Sequence, residues 1–267
     1  MNTKVIMMNQ ELKTHINEAL KKGVRLDGRK KDEFREIEIK TGVVATAEGS
    51  ALVRCGDTEV IAGIKLQVGE PYPDSQDQGT MMVGSELLPL SNPNFEGGPP
   101  GIDSIEVARV IDRGIREGKA IDTKKLCIRV GELVWTVMID VLPLNHDGNL
   151  IDVGGMAALA ALENTRMLKI ENDKIVIGKR TDEKLPICSM PVPVTVLKIG
   201  DNFIVDPTFE EEAVLDARLT VAVLEDDSLC ALQKGGKASL TTKDIKGMIA
   251  LAIDKSHELR KKINEAL

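Results

Sequence analysis

The chain has 267 residues and a formal net charge of −7, with 42% hydrophobic and 29% charged residues. This balance excludes disordered, collagenous and fibrous classes. The acidic sign argues against a protein that coats nucleic acid by itself, while leaving room for a local basic groove. Four Phe, one Tyr and one Trp imply a core of aliphatic side chains and Met, and they exclude stacking on aromatics as the main way of holding a single strand.

The spacing of Leu12, Ile16, Ala19 and Leu20, stopped by Gly23, predicts an amphipathic helix over about 9–22 that docks on the main body. The charged turn Arg25-Leu26-Asp27-Gly28-Arg29 leads into strand-like segments at 36–40, 43–47, 50–54 and 58–66, spaced as an antiparallel meander. A polar loop over 69–79 precedes an extended segment at 80–88 and an irregular, Pro- and Gly-bearing connection at 89–101. A helix is predicted over 102–117, then strands at 126–130 and 133–142, the second alternating Leu133, Trp135, Val137, Ile139 and Val141 on one side. After a turn at 145–149 comes a helix from about 153 to 168. Short extended segments follow at 175–177, 192–199, 203–205, 217–224 and 228–234. The last helix, about 242–264, can take its cap from Thr241 or Thr242. Clustered strands followed by helices predict one α+β domain over 1–267 with no internal repeat.

Cys55, Cys127, Cys188 and Cys230 match no compact zinc spacing, and Cys55, Cys127 and Cys230 read as buried free thiols suited to a reducing compartment. No apolar run approaches 18 residues. A cytoplasmic protein without a membrane partner is the expectation. His15, His146 and His257 form no close ligand pair, and no metal site is expected.

Three segments carry candidate chemistry. On the 102–117 helix, Arg109, Arg113 and Arg116 fall within an arc of about 60°. Val107, Ala108, Val110, Ile111 and Ile115 occupy the opposite arc, and Asp112 is placed for an i,i+4 contact with Arg116. Such a face is either solvated and salt-bridged or a contact for phosphate, which the planar guanidinium grips with paired donors. Asp152-Val153-Gly154-Gly155-Met156 places tandem glycines where a helix begins. They could bind an anion, but without a Walker-type Lys or hydroxyl they read better as close packing. Asp206-Pro207-Thr208-Phe209-Glu210-Glu211-Glu212 is a strand-end turn in which Asp206 and Glu212 could bind a cation or perform acid–base work. No cation or nucleophile adjoins them in sequence.

The whole chain, from about residue 9 to the C-terminus, resembles the RNase PH-like superfamily. The resemblance rests on Arg25-Leu26-Asp27-Gly28-Arg29, Gly49-Ser50-Ala51-Leu52-Val53, Gly56-Asp57-Thr58, and Ile111-Asp112-Arg113 followed by Arg116. It continues in His146-Asp147-Gly148-Asn149-Leu150-Ile151-Asp152 and Val205-Asp206-Pro207-Thr208. Within that superfamily the chain looks like the non-catalytic ring subunits of the archaeal exosome. The resemblance implies an RNase PH-like α+β fold with mixed and antiparallel sheets and packed helices. It also implies a trimer of heterodimers with a catalytic RNase PH-like partner, RNA-binding cap subunits and single-stranded RNA. The partner would shorten RNA from its 3′ end with inorganic phosphate as co-substrate and release nucleoside diphosphates.

Asp206 matches the family's catalytic acid position and Glu212 its second acidic position. The family's phosphate-binding helix start, which carries a hydroxyl, is here Val153-Gly154-Gly155-Met156-Ala157. That departure implies an incomplete active site with Asp206 and Glu212 as vestiges and no cofactor in this chain. Arg113 and Arg116 become candidates for RNA contact, and Arg109 for RNA or for a subunit interface.

Overall fold

The computed structural model of the chain describes residues 3–267. It begins α1 (Thr3–Lys21), β1 (Ile37–Thr41), β2 (Gly49–Cys55), β3 (Thr58–Gly69), β4 (Thr80–Ser85) and α2 (Ile102–Glu117). Next come β5 (Cys127–Arg129), β6 (Leu133–Asn145), α3 (Leu150–Glu163), β7 (Arg166–Glu171) and β8 (Lys174–Lys184). The chain ends with β9 (Val192–Ile199), β10 (Asn202–Val205), α4 (Phe209–Ala213), β11 (Ala217–Val223), β12 (Leu229–Gly236) and α5 (Thr242–Glu265).

The first sheet runs β1-β2-β3-β6-β4, with β5 also on β6, and only β4 runs parallel to its neighbour. The second, β10-β9-β11-β12, is antiparallel throughout, and β7 with β8 forms a separate hairpin. The mixed and antiparallel α+β architecture is thus the one expected. Alternation explains β6: Trp135, Val137, Ile139 and Val141 point into the core, whereas Thr136, Met138 and Asp140 do not.

α3 joins the two sheets, packing on β2, β3 and β6 from one side and on β9 from the other. Every residue from Leu150 to Leu162 is buried, as a helix apolar on all sides requires. Small residues permit the close approach. A Cβ on Gly155 would lie 2.3 Å from Pro193 Cγ, and one on Gly154 would lie 3.1 Å from both Ile111 and Val141. α2 covers the β4 side and α5 covers β9 and β11. One continuous apolar core therefore reaches from Val53 in the first sheet to Val221 in the second and Ile263 in α5. α1 packs separately, with Ile16 and Leu20 against Leu197, Ile199 and Ile204. No helix among the described residues is long and apolar enough to cross a membrane.

Several expectations are corrected. Residues 43–47 are a loop, not a strand. Gly42 at φ +70° ends β1, and the carbonyls of Ala45 and Ala47 accept from Arg180 instead of a ladder partner. The helix expected over 153–168 runs from Leu150 to Glu163, and Arg166 already pairs with Lys184 in a hairpin. The segment expected at 175–177 is the long strand β8. The short helix α4 was not anticipated, although Thr208 and Glu211 form its capping box. Thr241 rather than Thr242 caps α5. Of the three thiols expected to be buried, only Cys55 is; Cys127 and Cys230 are partly exposed.

Candidate functional site

α2 spans the residues expected and carries its cations as the periodicity requires. Ser104, Val107, Ala108, Val110, Ile111, Gly114 and Ile115 are buried, while Arg109, Arg113 and Arg116 are all exposed on the other face. The three differ in freedom. Arg116 is held by Asp112 through Nε–Oδ2 at 3.0 Å and Nη2–Oδ1 at 2.7 Å, and Nη2 also donates to the Met81 carbonyl at 3.1 Å. Arg113 makes one long contact, 3.3 Å, to Gln233 on β12. Arg109 has no salt bridge among the described residues and lies beside β4. Three guanidinium groups on a helix anchored by a buried face are suited to successive phosphates of an extended strand.

The acidic segment is built differently from what its sequence suggests. Asp206, at φ +45° past the end of β10, is fully buried. Its Oδ2 accepts from the Arg35 main-chain N–H at 2.8 Å, Arg35 Nε at 2.9 Å and Arg29 Nη1 at 2.7 Å. Its Oδ1 accepts from Arg35 Nη2 at 2.8 Å and from Asn149 Nδ2 at 2.9 Å. The Cys55 thiol lies 3.5 Å from the same oxygen. Burial by itself would raise the Asp206 carboxyl, but the hydrogen bonds and charge of Arg35, joined by Arg29, hold it below the usual carboxylate range. Burial and the neighbouring Asp206 charge push the Cys55 thiol up, out of reach of ionisation at neutral pH.

Arg25 completes the clasp. It is 2% exposed, pairs with Glu211 through Nε at 2.9 Å and again through Nη2, and donates to the carbonyls of Val205 and Asp206. The charged turn at 25–29 and the 205–212 segment, some 180 residues apart, thus form one unit.

Glu212 faces the start of α3. Its Oε1 accepts the main-chain N–H of Asn149 at 2.9 Å, so a carboxylate already occupies a donor at this helix entrance. Burial pushes Glu212 up to about 7, against the Asn149 hydrogen bond and the charges of Arg218 and Arg35. Asp152 in the first turn of α3 is fully enclosed and also pushed up to about 7 by burial. Its Oδ2 accepts from Thr195 N at 2.9 Å, and its Oδ1 has no hydrogen-bond partner. Gly154 and Gly155 lie beyond the helix entrance with packed surroundings, which supports the close-packing reading. His146 stacks on Phe95 at 5.4 Å and meets Phe209 edge-on at 5.3 Å. Its Nδ1 accepts from Gly148 N, and burial keeps the imidazole below its ordinary pKa.

The structure therefore brings Asp206 and Glu212 to one place through Asn149, and keeps the arginine face of α2 as a separate surface. Sequence reasoning missed Arg25, Arg29, Arg35 and Glu211 as partners of the acidic segment. The 25–29 turn is a motif of the sequence, but nothing local points to what it meets. Arg35 carried no signal at all.

Comparison with known proteins agrees with this architecture. The model of the 3′ exoribonuclease family, domain 1, matches residues 33–167, and that of domain 2 matches residues 189–255. The chain is 48% identical over 259 residues to the exosome complex component Rrp42 of Thermococcus gammatolerans, covering 96% of this chain and 95% of that protein. It is 45% identical over 251 residues to the Rrp42 component of Archaeoglobus fulgidus, with 94% and 95% covered. Among solved structures it is similar to a chain of the Archaeoglobus fulgidus exosome with RNA bound to the active site. There the TM-score is 0.89 at 44% identity, over 96% of this chain and 99% of that one. It also resembles a chain of an archaeal exosome core, with a TM-score of 0.85 and 40% identity over 97% and 98%.

Proposed function

The chain belongs to the 3′ exoribonuclease family, and on that premise we propose that it is a non-catalytic, RNA-contacting ring subunit of an archaeal exosome core. A catalytic sister chain of the same fold pairs with it, three such pairs closing a ring to which RNA-binding cap subunits attach. In the sister's active site, inorganic phosphate attacks the last phosphodiester. The 3′ oxygen of the penultimate nucleotide leaves, and the terminal residue departs as a nucleoside diphosphate.

One observation carries the division of labour: Asp206, at the position of the family's catalytic acid, is fully buried with both oxygens taken by Arg29, Arg35 and Asn149. A carboxylate committed to five N–H donors has no lone pair left for a proton in transit or a metal-bound water. Glu212 already takes the Asn149 main-chain N–H at the α3 entrance, a donor that an attacking phosphate would need. The chain's contribution is instead positional. Arg113 and Arg116 hold phosphates of the single strand on its way to the sister's site, with contacts that are salt-sensitive and indifferent to base sequence.

The test compares the purified chain with the co-assembled pair on a single-stranded RNA and inorganic phosphate. The chain alone releases no nucleoside diphosphate and the pair shortens RNA only when phosphate is present. Arg113→Glu with Arg116→Glu lowers RNA crosslinking in a ring that still assembles. Diphosphate release by the chain alone overturns the reading, and undiminished crosslinking reduces the chain to a scaffold.

A further inference from the structure

Two buried oxygens at the entrance of α3 have no hydrogen-bond partner among the described residues, Asn149 Oδ1 and Asp152 Oδ1. Their residues are 1% and 0% exposed. They hold the N-cap and third positions of the helix, whose side chains meet at a helix start. The Asn149 side chain does reach the Asp152 carboxyl. Each residue is also held by its other end. Asn149 Nδ2 donates to Asp206 Oδ1 at 2.9 Å, which turns the amide nitrogen toward that carboxylate. Asp152 Oδ2 accepts from Thr195 N on β9 at 2.9 Å, and Thr195 Oγ1 lies 2.8 Å from Thr220 Oγ1 on β11. A line of polar contacts therefore runs from the end of β10, through the α3 entrance, into the middle strands of the second sheet.

Two orphaned acceptors in the interior need a donor. A metal cation is a poor one, since it would sit at the positive end of α3, close to Arg35 and Arg29 on Asp206. A bridging water could donate to both oxygens, but it would leave Asp152 ionised, a second buried charge beside that of Asp206. A single proton supplies the donor and removes the charge at once. We propose that Asp152 and Asp206 are a coupled pair sharing one negative charge across the Asn149 amide. Asp206 carries the charge, and Asp152 carries a proton on Oδ1 that it donates to Asn149 Oδ1. The charged neighbours divide in the same sense. Arg35 and Arg29, from the segment before β1, make ion pairs with Asp206 and not with Asp152. Cys55 of β2 lies on the Asp206 side. Glu212 of α4 holds the Asn149 main-chain N–H, and Arg218 of β11 is paired with Glu106 of α2. Burial, opposed by the Thr195 hydrogen bonds and aided by the Asp206 charge, then places the ionisation of Asp152 at about 7. On ionisation the Oδ1–H bond breaks, the proton passes to solvent, and an unshared charge is left between the two sheets. The joint is firm below that pH and weakened above it. This inference concerns the chain's own fold and stands independently of the ring-subunit reading.

The experiment follows the side-chain carbons of isotope-labelled Asp and Asn by NMR in the full chain, from about pH 5 to about pH 9. It is run on Glu212→Gln, which keeps an acceptor for the Asn149 N–H and removes the other titration at the α3 entrance. Asp152→Asn and Asn149→Gly, each added to Glu212→Gln, assign the two signals, glycine suiting the φ of 61° at position 149. The Asp152 carboxyl and Asn149 carboxamide carbons are expected to move together with one midpoint, while the Asp206 carbon stays at its ionised position throughout. Adding Asp206→Asn, which removes the shared charge, is expected to lower the Asp152 midpoint by about one pH unit or more. An Asp152 carboxyl already ionised at about pH 5 overturns the proposal. So does an Asn149 carbon that stays still while Asp152 titrates. A midpoint raised by Asn149→Gly overturns it as well, because the amide nitrogen would then be donating to an ionised Asp152. If Asp206→Asn does not fold, the joint movement of the Asp152 and Asn149 carbons decides.

Discussion

Arg35 closes on Asp206 from three directions, its main-chain N–H and Nε meeting Oδ2 and its Nη2 meeting Oδ1, all between 2.8 and 2.9 Å. The two residues lie 171 positions apart. The pair ties the segment before β1 to the end of β10, across the junction of the two sheets.

Asp206→Asn removes the buried carboxylate shared by Arg35 and Arg29 and leaves them only the more exposed Asp147 and Asp27. It is expected to cost about 3–5 kcal/mol in urea unfolding, the range for breaking a buried ion pair from one side. The acid sensitivity of the fold follows from the same group. A carboxyl held below its unfolded value contributes stability that is complete above about pH 4 and is lost as the pH falls through the folded value. Urea midpoints measured from pH 5 down to pH 2.5 should drop steeply for the unaltered chain and less for Asp206→Asn. Equal slopes refute the assignment.

Asp152 acts in the opposite direction. Its folded pKa of about 7 lies above its ordinary 3.8, so between about pH 4 and 7 the folded chain keeps a proton that the unfolded chain releases. Stability therefore falls as pH rises through that window, by about 4 kcal/mol at the limit for a shift of this size. Asp152→Asn removes the charge while leaving an oxygen for Thr195 N. It is expected to unfold at a higher temperature than the unaltered chain at pH 8, with only a small gain at about pH 4, before the unfolded carboxyl has released its proton. A gain that is the same at both pH values would mean that Asp152 does not titrate there.

Because α3 lines both sheets, we propose that residues 1–267 form one cooperative unit even though the family models divide the chain after residue 167. Gly155→Ala drives a Cβ into Pro193. Overpacking of this kind costs about 1–3 kcal/mol, which for a chain of this size lowers Tm by about 2–4 °C per kcal/mol. Calorimetry should give one transition before and after the change, displaced as a whole. Two separable transitions, only one of them displaced, would count against a single unit.

The arginine face has its own signature in salt. Each phosphate contact to a single strand contributes about 0.7 to the slope of log K against log salt. Replacing Arg113 and Arg116 by Gln in the assembled ring should flatten that slope by about 1.4 and weaken binding similarly for unrelated RNA sequences. An unchanged slope would show that neither side chain touches phosphate.

What the sequence determines by itself is whatever repeats over a few residues. The α2 boundaries, the stripe of Arg109, Arg113 and Arg116, the Asp112–Arg116 pair and the alternation along β6 are periodic and local, and each is found where the pattern puts it. The RNase PH-like family was legible too, from motifs in order, although their reasons were hidden. Only the tertiary structure decided that the turn at 25–29 exists to clasp 205–212, that Glu212 closes the α3 entrance, and that Gly154 and Gly155 serve packing. Charge pairing and steric fit act through space between residues far apart in the chain, 63 positions for Asn149 and Glu212 and 186 for Arg25 and Glu211, and a short window along the chain holds only one half of each pair.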